Sequence, residues 1–190
     1  MDAVIRYRGK KYRLNLDYRV VLDCFEALQD DALPDINRVE VCLEQLVRGH
    51  VKRLSANQKV ELFNLIYDQH IRLNKRSGES GPKSVDFRFD FDLIYASFMQ
   101  AYHIDILKDR LTWYEFYNLF QGLPADTKIR EVMSIRQRET PTPNKYNQKE
   151  IAELQRLKSY WALPVECLGN NYQDGLKKLF STLKSMAKRG

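Results

Sequence analysis

Apolar positions in this chain recur mostly three and four residues apart, and only the first sixteen residues look strand-like. Residues 3–7 (AVIRY) and 11–16 (KYRLNL) are rich in Val, Ile, Tyr and Leu. Arg8-Gly9-Lys10 between them has the composition of a turn, so a β-hairpin is predicted. Two strands alone are marginal in water, so the hairpin requires a packing partner. Helical spacing then takes over. Asp17 is placed to cap a helix through about residue 29, with Val20, Val21, Cys24, Phe25 and Leu28 on one side. Leu33-Pro34-Asp35 breaks the chain. A second helix is predicted over about 37–48, with Val39, Cys42, Leu43 and Leu46 on its apolar face and Gly49 as its stop. Ser55-Ala56-Asn57-Gln58 has capping-box form and opens a helix to about residue 73, striped by Leu62, Phe63, Ile66, Tyr67 and Ile71.

Residues 74–84 (NKRSGESGPKS) are polar and rich in Gly and Ser, which predicts a flexible loop. Beyond it, Asp90 occupies an N-cap position. Phe91, Tyr95, Phe98 and Tyr102 follow nearly in line on one helix. Thr112-Trp113-Tyr114-Glu115 is another capping box, leading into Trp113, Phe116, Tyr117 and Phe120. Gly122 and Pro124 suit the end of that helix. A helix over about 125–137 carries Ile129, Val132, Met133 and Ile135. Pro141 and Pro143 interrupt, Asn147 is placed to cap a helix to about 161, and Pro164 and Gly169 interrupt again. The last predicted helix, about 171–188, is amphipathic, with Leu176, Leu179, Phe180, Leu183 and Met186 opposite Lys177, Lys184 and Lys188. The expected fold is therefore mainly α (α+β), an N-terminal β-hairpin packed on a multi-helix domain with an amphipathic C-terminal helix. We expect a single domain over 1–190. Its parts are a hairpin-plus-helices lobe (1–73), the loop (74–84), an aromatic-rich helical region (85–138) and C-terminal helices (147–190).

Charge adds an asymmetry. The formal net charge is +6, yet residues 1–20 carry +4, residues 175–190 carry +5 and the stretch between them −3. Basic ends can meet phosphate or acidic partners, or simply keep a protein dissolved. No window reaches the roughly 18 unbroken apolar residues of a membrane span, and the N-terminus has charges where a signal peptide needs an apolar run. The expectation is a soluble protein made in a cytoplasm, with no membrane partner. Cys24, Cys42 and Cys167 are widely spaced among apolar residues, which fits free thiols better than a disulfide framework or a zinc knuckle.

No chemistry-bearing constellation emerges. His50, His70 and His103 lack a partner at metal-ligand spacing. Asp86, Asp90 and Asp92 alternate with Val85, Phe87, Phe89 and Phe91, which suits a short extended segment leading to a helix start better than converging acid–base groups. Residues 77–83 (SGESGPK) miss the phosphate-loop spacing, and no nucleophile elbow occurs. We therefore expect no catalytic, metal or cofactor-binding residues and no enzyme activity. The aromatic stripes are read two ways. They form core between consecutive helices, or they line a groove for an apolar partner helix. The partner-binding candidates are Tyr102, Trp113, Tyr114, Tyr117 and Phe120, together with Leu179, Phe180 and Leu183 of the terminal helix. That helix either docks on its own domain or serves partner binding or self-association. Nucleic acid is disfavoured, because no finger, ribonucleoprotein motif or helix-turn-helix accompanies the basic ends.

Residues 89–136 resemble the signature region of the bacteriophage gene-product-fifteen family, found in siphophages and prophages of Gram-positive bacteria. The matching pieces are Phe89-Asp90-Phe91-Asp92, Leu93-Ile94-Tyr95-Ala96-Ser97-Phe98 and Tyr102-His103-Ile104-Asp105. They continue with Leu111-Thr112-Trp113-Tyr114-Glu115-Phe116, Leu119-Phe120-Gln121-Gly122-Leu123-Pro124-Ala125-Asp126-Thr127 and Ile135-Arg136. Two positions depart from the pattern: His103 stands where Gly is expected, and Tyr114 where a second Trp is expected. The resemblance implies a gene beside the tape-measure gene and a tail assembly chaperone that keeps the tape-measure protein soluble in the host bacterial cytoplasm. The alternatives are a minor tail or tail-completion component, or a nucleic-acid-binding regulator. The resemblance carries no active site.

Overall fold

Arg8 and Gly9 both hold positive φ, 48° and 77°, as the two central residues of a type I′ hairpin turn do. They join β1 (Ala3–Tyr7) to β2 (Lys10–Leu14), with Tyr7 paired to Lys10. Lys10 thus belongs to the strand and not to the turn. This computed structural model describes residues 3–30, 32–72 and 83–168. A third strand, β3 (Val47–Arg48), pairs antiparallel with β2, giving the order β1-β2-β3. The apolar run predicted as helix to residue 48 leaves the helix after Leu46. There the Asn15 amide donates to the Leu46 carbonyl at 2.7 Å, and Val47 pairs with Leu14. Gly49, at φ 152°, follows the strand instead of ending the helix directly.

The helices are α1 (Tyr18–Gln29), α2 (Asp35–Leu46), α3 (Ala56–Ile66), α4 (Phe91–Tyr102), α5 (Trp113–Gln121), α6 (Lys128–Gln137), α7 (Gln148–Tyr160) and the short α8 (Val165–Leu168). The protein is mainly α with a small sheet. Two predicted caps form as read. The Asp17 carboxylate accepts from the Arg19 amide at 3.1 Å, and Ser55 and Gln58 complete a reciprocal box at 3.4 and 3.0 Å. The helix opened by Ser55 ends in a wider π turn over Tyr67–Ile71, closed by the Arg72 amide on the Tyr67 carbonyl at 2.8 Å. Asn147 does not cap α7. Its carboxamide oxygen accepts from the Asn144 amide at 2.8 Å and its nitrogen donates to Thr142, tying up the proline-rich turn instead. The predicted terminal helix lies outside the described residues. Among those described, no helix is long and apolar enough to cross a membrane.

The chain divides into two compact units. The first contains the sheet, α1–α3 and residues 110–117; the second contains residues 83–109 and 118–168 of those described. In the first, Ile5, Tyr12 and Leu14 of the sheet are buried, as are Val21 and Leu22 of α1, Leu43 and Leu46 of α2 and Leu62 and Ile66 of α3. The thiols of Cys24 and Cys42 are free and buried, each directed at the other's backbone carbonyl, at 3.8 and 3.5 Å. The Cys42 contact and burial together raise the Cys24 thiol far above its ordinary value. In the second unit, α4 packs on α6 and α6 on α7, with Ile94, Phe98, Ile129, Val132, Ile151 and Leu154 buried. Ser97 is fully buried there. Its hydroxyl donates to the Leu93 carbonyl at 2.7 Å and accepts from the Ile129 amide at 3.2 Å. A side chain of α4 thus satisfies one of the open amides in the first turn of α6. Thr127, the residue at that N-cap position, instead donates to the Pro124 carbonyl at 2.7 Å.

Helix α4 ends on His103 at φ 56° and ψ 29°, a left-handed cap that favours glycine. This is the position where the sequence departs from its expected Gly. Replacing His103 with Gly should stabilise the protein by about 1 kcal/mol, because the left-handed backbone costs a side-chain-bearing residue roughly that much. Urea unfolding of the two forms checks this. No change would mean that the contact of His103 Nδ1 with the Met99 carbonyl, at 3.1 Å, already offsets the strain.

Candidate functional site

The stretch VDFRFDFD coils instead of extending. Asp86 Oδ1 accepts from the amides of Arg88 and Phe89 at 3.0 and 2.9 Å, and the Asp90 amide donates to the Asp86 carbonyl at 2.9 Å. These local bonds satisfy the backbone without a strand partner. Residues 87–90 form a turn that runs straight into α4, so the predicted extended segment is corrected. Asp90 does stand at the N-cap position of α4, but it makes no side-chain cap bond there.

Its carboxylate is engaged by Arg136. The guanidinium of Arg136, on α6, donates two bonds to Asp90, at 2.7 and 2.8 Å. It also donates to the Ser84 carbonyl at 2.9 Å and to the Trp161 carbonyl at 2.6 Å. Asp90 Oδ2 accepts a further bond from the Asp86 amide at 2.9 Å. The two side chains are 1% and 7% exposed for Asp90 and Arg136. Beside them Lys83 pairs with Asp86 at 2.7 Å and donates to the Cys167 carbonyl at 3.0 Å. Burial pushes the Asp86 carboxyl upward, but Lys83 and the two backbone amides outweigh it and hold the group below its ordinary value. Two carboxylates and two cations are therefore mutually neutralised and hydrogen-bonded within one unit. The arrangement ties the segment leading into α4, the end of α6 and the segment following α7 together. It holds these charges in place.

Sequence reading missed this pair. A signal exists: Arg136 falls seven residues after Ile129 and four after Val132, on the face of α6 that the pattern marks as apolar. A charge in that phase needs a buried partner.

The aromatic helix α5 begins at its predicted capping box. The Thr112 amide and hydroxyl each donate to Glu115 Oε2 at 2.8 Å, which lowers the Glu115 carboxyl, and the Glu115 amide donates back to Thr112 Oγ1 at 3.3 Å. Residues 111–113 lie beside the residues leading into α1. The Tyr18 amide donates to the Leu111 carbonyl at 3.1 Å, and the Trp113 amide to the Leu16 carbonyl at 2.7 Å. Trp113 is 4% exposed. It donates its indole N–H to the Ile71 carbonyl at 2.8 Å and meets Phe25 edge to face at 5.5 Å. Phe116 stacks on Tyr18 at 4.3 Å. Tyr117 is half-buried, 5.5 Å from the Trp113 ring. Phe120 is 1% exposed and meets Phe87 at 5.1 Å. Tyr102 is half-buried, and its hydroxyl donates to the Leu119 carbonyl at 2.9 Å. A Cβ at Gly122 would come within 3.2 Å of that hydroxyl, so glycine leaves room for it.

Of the predicted partner-binding side chains, Tyr114 is the open one, at 64% exposure. Tyr102 and Tyr117 are partly accessible, and Trp113 and Phe120 are core. Leu179, Phe180 and Leu183 lie outside the described residues. Other exposed apolar side chains, not singled out from sequence, are Phe89, Leu107, Tyr146 and Tyr160. No group of three or more His, Cys, Asp or Glu is placed to hold a metal among the described residues. His50 and His103 are exposed, and His70 is half-buried, where burial depresses its pKa.

A family model described as Bacteriophage Gp15 protein matches residues 1–163. No curated protein and no solved structure matches the chain.

Replacing Arg136 with Met should cost about 3–5 kcal/mol, because it leaves the Asp90 carboxylate buried without its cation. Adding Asp90→Asn should recover part of that loss, and denaturant unfolding of the single and double variants measures it. An equal loss in both would show that the charge pairing is not what matters. Trp113→Ala should cost roughly 3–5 kcal/mol, while Tyr114→Ala should stay within about 0.5 kcal/mol. Thermal melting separates the two.

Proposed function

Because the chain belongs to the bacteriophage Gp15 family, we propose that it is a non-enzymatic tail assembly protein that binds the tape-measure protein as a chaperone during tail morphogenesis. The resemblance of residues 89–136 implies a gene beside the tape-measure gene, which is where the tail assembly reading originates. The observation that carries it here is the way the signature residues are used. Its first and last pieces meet in the Asp90–Arg136 pair, and its Thr112–Glu115 piece is a helix cap. Tyr102 and Leu119 share a hydrogen bond. These groups make bonds within the fold. Apolar side chains such as Tyr114, Phe89 and Leu107 remain exposed. Exposed apolar side chains among charged ones suit the capture of a long apolar helical client that must stay dissolved. In this reading the protein acts in the host cytoplasm and needs no cofactor.

Co-expression with the tape-measure protein from the same phage tests the proposal. The expected outcome is a soluble tape-measure protein that co-purifies with this chain, and an insoluble one without it. Equal solubility in both cases, with no co-purification, would reject it. Mass spectrometry of purified virions should find this protein absent or scarce; stoichiometric amounts would instead favour a structural tail component.

A further inference from the structure

The outer face of the three-stranded sheet is a cationic array. Strand alternation buries Ile5, Tyr12, Leu14 and Val47 and turns Val4, Arg6, Lys11, Arg13 and Arg48 to solvent. The register sets Arg6 opposite Lys11, Arg13 opposite Arg48 on one side and Val4 on the other. Among the described strand residues, none on this face is acidic. Among the described residues, Arg6, Lys11 and Arg13 enter no ion pair. Glu61, close to the hairpin, is engaged by Tyr7 and Arg8 at the turn. Like charges directly opposite one another weaken a ladder. Solubility alone is served by scattered charges of both signs, without such pairs.

The backbone of β1 adds a second feature. A two-residue turn makes Tyr7–Lys10 a hydrogen-bonded pair, so alternation leaves Arg6–Lys11 and Val4–Arg13 as the non-hydrogen-bonded pairs. In such pairs the side chains stand closest, and the N–H and C=O groups of Val4 and Arg6 point away from β2. β1 is an edge strand, and these outward groups have no backbone partner among the described residues.

The geometry points to a docking site for an extended acidic segment of a partner protein, which adds beside β1 as a fourth strand and sets alternate carboxylates over Arg6, with Lys11 and Arg13 behind it. A free edge offers a main-chain ladder that a peptide can complete and a phosphate backbone cannot. The residues between those carboxylates turn to the opposite face, beside the half-buried Ala3 and Tyr7, where apolar side chains fit. The strand tyrosines, Tyr7 and Tyr12, lie on the opposite face, so the array has no ring on which a base could stack. Arginine's planar fork matches a carboxylate with two parallel bonds. This site is independent of the chaperone reading and would stand if that reading failed.

Fluorescence anisotropy with a labelled peptide of alternating Glu and Val tests it. Three further probes are an alternating Lys and Val peptide, a backbone-N-methylated Glu and Val peptide, and oligothymidylate. The expected result is binding of the Glu and Val peptide that weakens as salt rises. Affinity should fall about tenfold or more in the Arg6→Glu/Lys11→Glu variant, which should melt as the parent does because its charges are exposed. The N-methylated and lysine peptides should not bind. The proposal is overturned if the Glu and Val peptide fails to bind at low salt, or if charge reversal leaves its affinity unchanged. Equal binding of the N-methylated form would remove strand addition. Displacement of the peptide by oligothymidylate at lower concentration would assign the face to nucleic acid.

Discussion

Arg136 places a guanidinium in an interior where charge is costly, and the second unit is arranged to make that tolerable. Four bonds leave it: two to Asp90 and one each to the carbonyls of Ser84 and Trp161. Its partners come from segments far apart in sequence, so the pair forms only when those segments are already in place. A buried pair of this kind adds little net stability over well-packed apolar residues, because desolvation offsets the attraction. Its effect is on arrangement: any packing that separates Asp90 from Arg136 leaves a buried charge without compensation. The turn at residues 86–90 is held by its own local bonds, and the pair joins it to the end of α6.

The first unit solves a different problem. Its sheet is too small to stand alone, and its helices must cover it. Trp113 and Phe116 complete that interior with Phe25 and Tyr18, and the indole N–H finds the Ile71 carbonyl. Large rings bring apolar area, but a buried indole also needs an acceptor. The π turn over Tyr67–Ile71 ends at that acceptor.

For a member of the bacteriophage Gp15 family, this division of labour has a consequence. Many of the signature residues are engaged in bonds inside the fold, as Asp90, Arg136, Tyr102, Thr112 and Trp113 show. Tyr114, itself within the signature, and the cationic outer face of the sheet remain exposed.

Local chemistry made much of the secondary structure legible in the sequence. The hairpin, the Ser55 and Thr112 boxes, the Asp17 cap and the stop at Gly122 each depend on residues within a few positions of one another, where turn and cap preferences act directly. The family was legible too, from the order of short motifs. Partners distant in the chain were not. Nothing near Leu46 announces a strand pairing with Leu14, nothing near Ile129 announces a cap from Ser97, and Asp90 looks like its own helix's cap until Arg136 claims it. Whether Trp113 or Tyr114 faces solvent is likewise a property of what surrounds the helix. The sequence by itself determined which segments coil, extend or turn, because those choices are made by neighbours along the chain. Only the tertiary structure decided which charges and rings are buried together, because burial is set by groups that meet after the backbone has folded back on itself.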